Sequence, residues 1–203
     1  MLNQTNLASW GIYFGAYFGL ALGLSWFTPF LVQGLGFSQA VAGKLTAIPF
    51  VIGAIAVILG SLASQKMVQA GISSRRGRGV FCGLLTIVGG TSLIASTFIA
   101  DPILRITMMV VGTALPSVVY TIVPIIIAEI TPTSQRGAVL AIGSAVGTSA
   151  GIFAPFIMGD VVQNAATVVQ GFNLGYAVCG SVSIIGGLIP TCADSDSRGG
   201  FPN

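Results

Sequence analysis

The stretch Leu45–Gln65, LTAIPFVIGAIAVILGSLASQ, carries no charged side chain. A helix crossing the roughly 30 Å hydrocarbon layer of a bilayer needs about 20 largely apolar residues, and this stretch supplies them. The same reading extends in both directions. Met1–Gly43, Gly79–Ala100, Ile106–Ala128, Gly137–Gly159 and Val161–Ala193 are also free of charge. Gln33–Ser38 is a polar break inside the first run, after which a second helix begins and continues past Lys44. The last run opens with Gln163–Asn164 and Gln170–Asn173, so only its second half reads as a span. Apolar residues are continuous rather than alternating, which argues against a β-barrel. The pattern predicts an all-α integral membrane domain over 1–190. Its six transmembrane helices lie near 8–32, 39–65, 79–100, 105–128, 137–159 and 171–190, and a short polar tail covers 191–203.

Composition supports the same class. Of 203 residues 54% are hydrophobic and only 6% charged, and the mean hydropathy is +0.93. A soluble domain carries about 25% charged residues, so a soluble enzyme does not fit. A net charge of +3 is too diffuse for a nucleic-acid footprint. Histidine is absent, which removes His-based triads, HExxH zinc sites and His proton relays. No acid–base pair or metal cluster is visible, and neither an enzyme activity nor a cofactor is expected. Cys82, Cys179 and Cys192 are scattered and odd in number, and read as small apolar core residues. Met1–Leu7 is neutral and rather polar, unlike the basic start of a secretory signal.

The basic residues set an orientation. Lys66, Arg75, Arg76 and Arg78 stand between the second and third spans, Arg136 between the fourth and fifth, and Arg198 in the tail. With six crossings these segments share one side, while Lys44 and Arg105, both near helix starts, fall on the other. The positive-inside rule then makes both termini cytoplasmic.

Within the spans, Gly11, Gly15, Gly19 and Gly23 form one stripe at four-residue spacing, and Gly143, Gly147 and Gly151 another. Such stripes let a neighbouring backbone approach, either as static packing or as a surface on which helices rock. Pro29, Pro49, Pro116, Pro124 and Pro155 lie within or at the edges of spans and should bend them. Five polar side chains at membrane depth are candidates to line a solute cavity: Tyr13, Tyr17, Tyr120, Ser144 and Thr148. The alternative for the tyrosines is interface anchoring, and for Ser144 and Thr148 a bond to their own helix backbone. No Asp, Glu, Arg or Lys occupies the middle of a span, where such residues mark ion or proton relays.

Several segments resemble a known family. Gly60-Ser61-Leu62-Ala63-Ser64-Gln65-Lys66-Met67-Val68-Gln69-Ala70-Gly71-Ile72-Ser73, followed by Arg75, Arg76 and Arg78, is similar to the G-x-x-x-S-D-R-x-x-x-x-G-x-S loop of the major facilitator superfamily. Trp26–Val32 resembles the W-x-P-x-[FY]-L ending of that family's seventh helix, with one extra residue. Gly36-Phe37-Ser38, Ala42-Gly43 and Ala47-Ile48-Pro49-Phe50 resemble elements of its eighth. Pro132–Gly137, which contains Arg136 and Gly137, resembles the P-x-x-x-R-G loop before its eleventh helix. Gly151–Pro155 resembles the G-x-x-x-P within that helix, and Gln170-Gly171-Phe172-Asn173 the start of the twelfth. The resemblance runs in order along nearly the whole chain and is nearest to the anion:cation symporter branch.

The resemblance implies the C-terminal six-helix half of a secondary transporter, built as two three-helix inverted repeats and working by alternating access. It implies a small-molecule substrate, an organic anion with a coupling cation, and a bacterial inner (plasma) membrane location. A separately encoded N-terminal half is the implied partner beside the lipid bilayer. Gly60, Ser64, Gln65, Arg75, Arg76, Arg78, Arg136 and Gly137 become gating or topology residues of the loops. Where the family has Asp-Arg this chain has Gln65-Lys66, so charged contacts that hold the cytoplasmic side shut should be weaker. The alternatives are a self-associating six-helix channel or carrier, and a non-functional fragment.

Overall fold

The structure, a computed structural model, describes residues 4–195, and side chains over 5–73 and 77–189. The side chains of Arg75, Arg76 and Cys192, and the tail beyond Ser195 that carries Arg198, lie outside the described residues. Among the described residues the chain is all helix and turn. Helix α1 spans Gln4–Pro29 and continues through a π-helical turn, Phe30–Gly34. The others are α2 (Gln39–Gln69), α3 (Ser74–Ser96), α4 (Pro102–Ala114), α5 (Val119–Ile130), α6 (Arg136–Asn164) and α7 (Val168–Ser195). A 3₁₀ turn, Leu115–Val118, joins α4 to α5, so the two make one crossing. Among the described residues six helical stretches are then long and apolar enough to cross a membrane.

Local chemistry explains the boundaries. The π-turn directly follows Pro29, and the 3₁₀ turn contains Pro116. A proline lacks the N–H that would close the regular i→i−4 ladder and crowds the carbonyl four residues back. Ser38 caps α2 by accepting from the Val41 N–H. Asp101 caps α4, accepting from the Leu104 N–H at 2.8 Å, with Pro102 in the first turn where a missing donor costs nothing. At the other end of α2, Gly71 takes φ +85°. Its N–H donates to the Val68 carbonyl and that of Ile72 to Met67, a left-handed helix stop that glycine adopts without a Cβ penalty. Helix α7 continues to Ser195, so the first residues of the expected tail are helical.

The packing is pseudo-symmetric. Helix α1 packs on α6 and α7, the α4–α5 crossing packs on α2 and α3, and α3 packs on α7. Exchanging the first three spans for the last three maps this pattern onto itself. Three crossings is an odd number, so a second set of three enters the bilayer from the opposite face. This is the arrangement that two inverted repeats require. The whole is consistent with one half of a major facilitator fold.

Glycine sets the helix separations. A Cβ added at Gly90 of α3 would lie 2.5 Å from the Gly180 carbonyl oxygen of α7. One at Gly186 would lie 3.0 Å from the Gly15 Cα of α1. No side chain fits at either place, so α7 seats backbone to backbone against both neighbours. The free thiols of Cys82 and Cys179 are buried in this interior, as small apolar residues would be.

Burial is uneven. Of the most apolar window of α2 only 11% is buried, and of α6 22%, against 56% for the α4–α5 crossing. Ile58 and Leu59 of α2 and Ile152 and Phe156 of α6 stand exposed. Apolar faces of this size need lipid or protein against them.

Candidate functional site

Three of the five cavity candidates come together. Tyr13 and Tyr17 lie one turn apart on α1, their rings stacked with centroids 6.5 Å apart. Tyr120 of α5 meets both edge-on, at 5.6 Å from Tyr13 and 6.0 Å from Tyr17. Such edge-to-face pairs let the positive ring edge meet the negative face. The Tyr120 hydroxyl donates to the Ala16 carbonyl at 2.9 Å, tying α5 to α1. Tyr13 and Tyr17 make no side-chain hydrogen bond among the described residues, and both are half-buried.

The α6 glycine stripe makes room for these rings. Tyr13 lies directly against Gly147, Tyr17 against Gly151, and Trp10 against Gly143. The stripe is thus a seat for aromatic side chains of α1. Ser144 and Thr148, one residue further round α6, are exposed and are not brought to the tyrosine cluster. Thr148 donates to the Ser144 carbonyl of its own helix at 2.8 Å, a common fate of a membrane threonine.

Tyr120 also borders a cavity of about 220 Å³ between α1, α2 and the α4–α5 crossing, together with Gly23, Phe27, Pro49, Phe50 and Ser117. In this wall Pro49 lies within the continuous helix α2, and the Ser117 hydroxyl is shared between the Gly53 and Ala114 carbonyls. The lining carries no charge. A solute here would meet aromatic rings and hydroxyls, not an ion partner.

The loop residues form a separate contact at the end of the bundle that holds the 66–78 loop. Arg78 Nη1 lies 2.6 Å from Glu129 Oε1, and Arg78 Nε donates to the Ser64 hydroxyl at 3.1 Å. This joins α2, α3 and α5. Gly60 packs against Val118, whereas Gln65 is exposed. The acid facing Arg78 is therefore Glu129, which sequence reading did not single out. Arg136 is half-buried at the start of α6, and Gly137 has open space around it.

A second omission is Arg105. The sequence reads it only as a charge near a helix start, on the side opposite the basic loops. The structure buries it to 6% exposure, with the guanidinium carbon 4.6 Å from the Phe30 ring centroid and Nη2 donating to Asn173 Oδ1. One signal was available: Arg105, Met109 and Gly112 recur at helical spacing along the buried face of α4.

Fold and site together define a helical integral membrane protein whose architecture is consistent with half of a major facilitator fold. Over 170 residues, 81% of its length, the chain is 25% identical to the D-galactonate transporter of Escherichia coli O6:H1 (strain CFT073), a similarity that supports a transporter of major facilitator type. It spans 37% of that relative's length. No protein-family model matches the chain.

Proposed function

We propose that the chain carries a small organic anion across a membrane, as the six-helix C-terminal half of a secondary transporter of the anion:cation symporter kind. The observation that carries this reading is the similarity to a D-galactonate transporter along 81% of the chain. Packing supports it. The two helices left most exposed, α2 and α6, hold equivalent places in the pseudo-symmetric pattern, so a second six-helix unit has two matching faces to cover. Rocking of the two units about that seam would give alternating access to the cavity that Tyr120 borders, with Tyr13 and Tyr17 packed against Tyr120 beside it. In this reading both termini lie in the cytoplasm, the side that the basic loops favour, and the membrane is a bacterial inner membrane. The coupling cation and its acidic ligands belong to the partner half, because no carboxylate lies mid-span in this chain.

The test is purification from the native membrane in mild detergent, identification of what accompanies the chain, and reconstitution into liposomes. Saturable uptake of labelled D-galactonate together with a six-helix partner is expected. Saturable uptake by the chain alone would replace this reading with a self-associating carrier. No saturable uptake of any sugar acid would overturn it.

A further inference from the structure

Arg105 occupies an unusual place for a charge in this chain. It lies in the first turn of α4, at the end of the bundle away from the 66–78 loop. There the close of α1, the start of α4 and the start of α7 meet. Its neighbours are Phe30, whose ring carries the guanidinium, Asn173, which accepts from Nη2, and Tyr176, whose ring lies 5.4 Å from that of Phe30. Among the described residues no carboxylate comes within salt-bridge distance of it. Asp101, four residues before it, is spent on capping the Leu104 N–H.

Burying an arginine without an anion is costly, and the group cannot escape by losing its proton. The Phe30 ring and the Asn173 oxygen offset part of that cost. They leave two groups unsatisfied in the same nest. Arg105 Nε and the Tyr176 hydroxyl are both buried with no hydrogen-bond partner, and Tyr176 is only 1% exposed. The Asn173 oxygen accepts from Arg105 Nη2 and so holds the guanidinium in place. A buried cation with no carboxylate beside it, an unused N–H of its own and a neighbouring hydroxyl free to donate together have the chemistry to receive an oxyanion.

We propose that Arg105, Tyr176 and Asn173 form a carboxylate subsite at this end of the bundle, occupied by the acid group of a small organic anion on its way into or out of the cavity. The subsite rests on the transport reading for the identity of its ligand but not for its existence. It lies apart from the tyrosine-bordered cavity, whose lining offers no charge. It also gives this half of the molecule an anion contact of its own.

The subsite is tested by thermal unfolding of the purified chain in lipid-free detergent, titrated with sodium D-galactonate against sodium chloride at matched ionic strength, with neutral D-galactose as control. A saturable rise in Tm with D-galactonate alone is expected. Tyr176→Phe, which keeps the ring, should weaken the apparent affinity about tenfold, the worth of one hydrogen bond to a charged group. Arg105→Gln, which keeps the reach to Asn173, should abolish the rise. No saturable rise, an equal rise with chloride, or a rise that Tyr176→Phe leaves unchanged would overturn the proposal. Repeating the titration in nanodiscs with and without phosphatidylglycerol separates a lipid phosphate from a free acid. Loss of the D-galactonate rise in the anionic lipid alone would assign the nest to the headgroup and overturn it. Flux without this binding would remove the subsite alone, and binding without flux would remove the transport reading alone.

Discussion

Arg78 and Glu129 meet at 2.6 Å across α3 and α5, and the same guanidinium reaches Ser64 on α2. The side chain of Arg78 is 11% exposed and that of Glu129 44%. The pair is thus sheltered on one side and wet on the other, which keeps its worth small. A double-mutant cycle with Arg78→Gln and Glu129→Gln should give a coupling of about 0.2–1 kcal/mol in unfolding free energy. Arg78→Gln should cost more than Glu129→Gln because it also releases Ser64. Equal losses would mean that the Ser64 contact contributes nothing.

Close backbone approach at α7 predicts an ordering among glycine substitutions. At Gly90 and Gly180 an added methyl meets a carbonyl of the facing helix, which cannot turn aside. Each Gly→Ala change there should destabilise by about 1–3 kcal/mol, the usual cost of overpacking. At Gly11 the methyl meets only the tip of Ile189, and at Gly137 nothing within 4 Å, so those two should be near neutral. Unfolding midpoints of the four variants check the order.

The glycines show what a single sequence makes legible. Gly11, Gly15, Gly19 and Gly23, and Gly143, Gly147 and Gly151, stand out because four-residue spacing is a visible stripe. Gly83 and Gly90, and Gly180 and Gly187, repeat at seven residues and carry equally close contacts between α3 and α7, yet they pass unnoticed among the chain's 28 glycines. Six helices were readable because an uncharged run of membrane length has few other meanings. The burial of Arg105 was not, since a charge near a helix start reads as an interfacial one until the neighbouring helices are placed. Glu129 gives no sign of its role for a similar reason: its partner lies 51 residues away in sequence. Ser144 and Thr148 stand out for polarity at depth, but polarity does not say which way a helix is turned.

Tyr120 has two separable roles. Tyr120→Phe removes the bond to the Ala16 carbonyl and should cost about 1 kcal/mol of stability. Tyr13→Phe and Tyr17→Phe remove hydroxyls with no protein partner among the described residues, and should leave Tm within a degree or two of the parent. If these hydroxyls face solute, both raise KM for uptake with little change in kcat. A KM unchanged in both would leave the pair as packing for Gly147 and Gly151.

Orientation is open to a labelling experiment. Single cysteines at Gln135 and Gly71, in a background without the native three, should react with impermeant maleimide only from the cytoplasmic side. Those at Ser38 and Gln163 should react only from the opposite side. The reverse pattern would invert the topology and place the Arg105 nest in the cytoplasmic half.

The most direct test of the account is labelled D-galactonate flux into liposomes holding the chain together with the partner that accompanies it in its native membrane. The account predicts saturable, protein-dependent uptake that D-galactose does not compete for. Monodisperse, correctly oriented protein with no uptake above empty liposomes would contradict it.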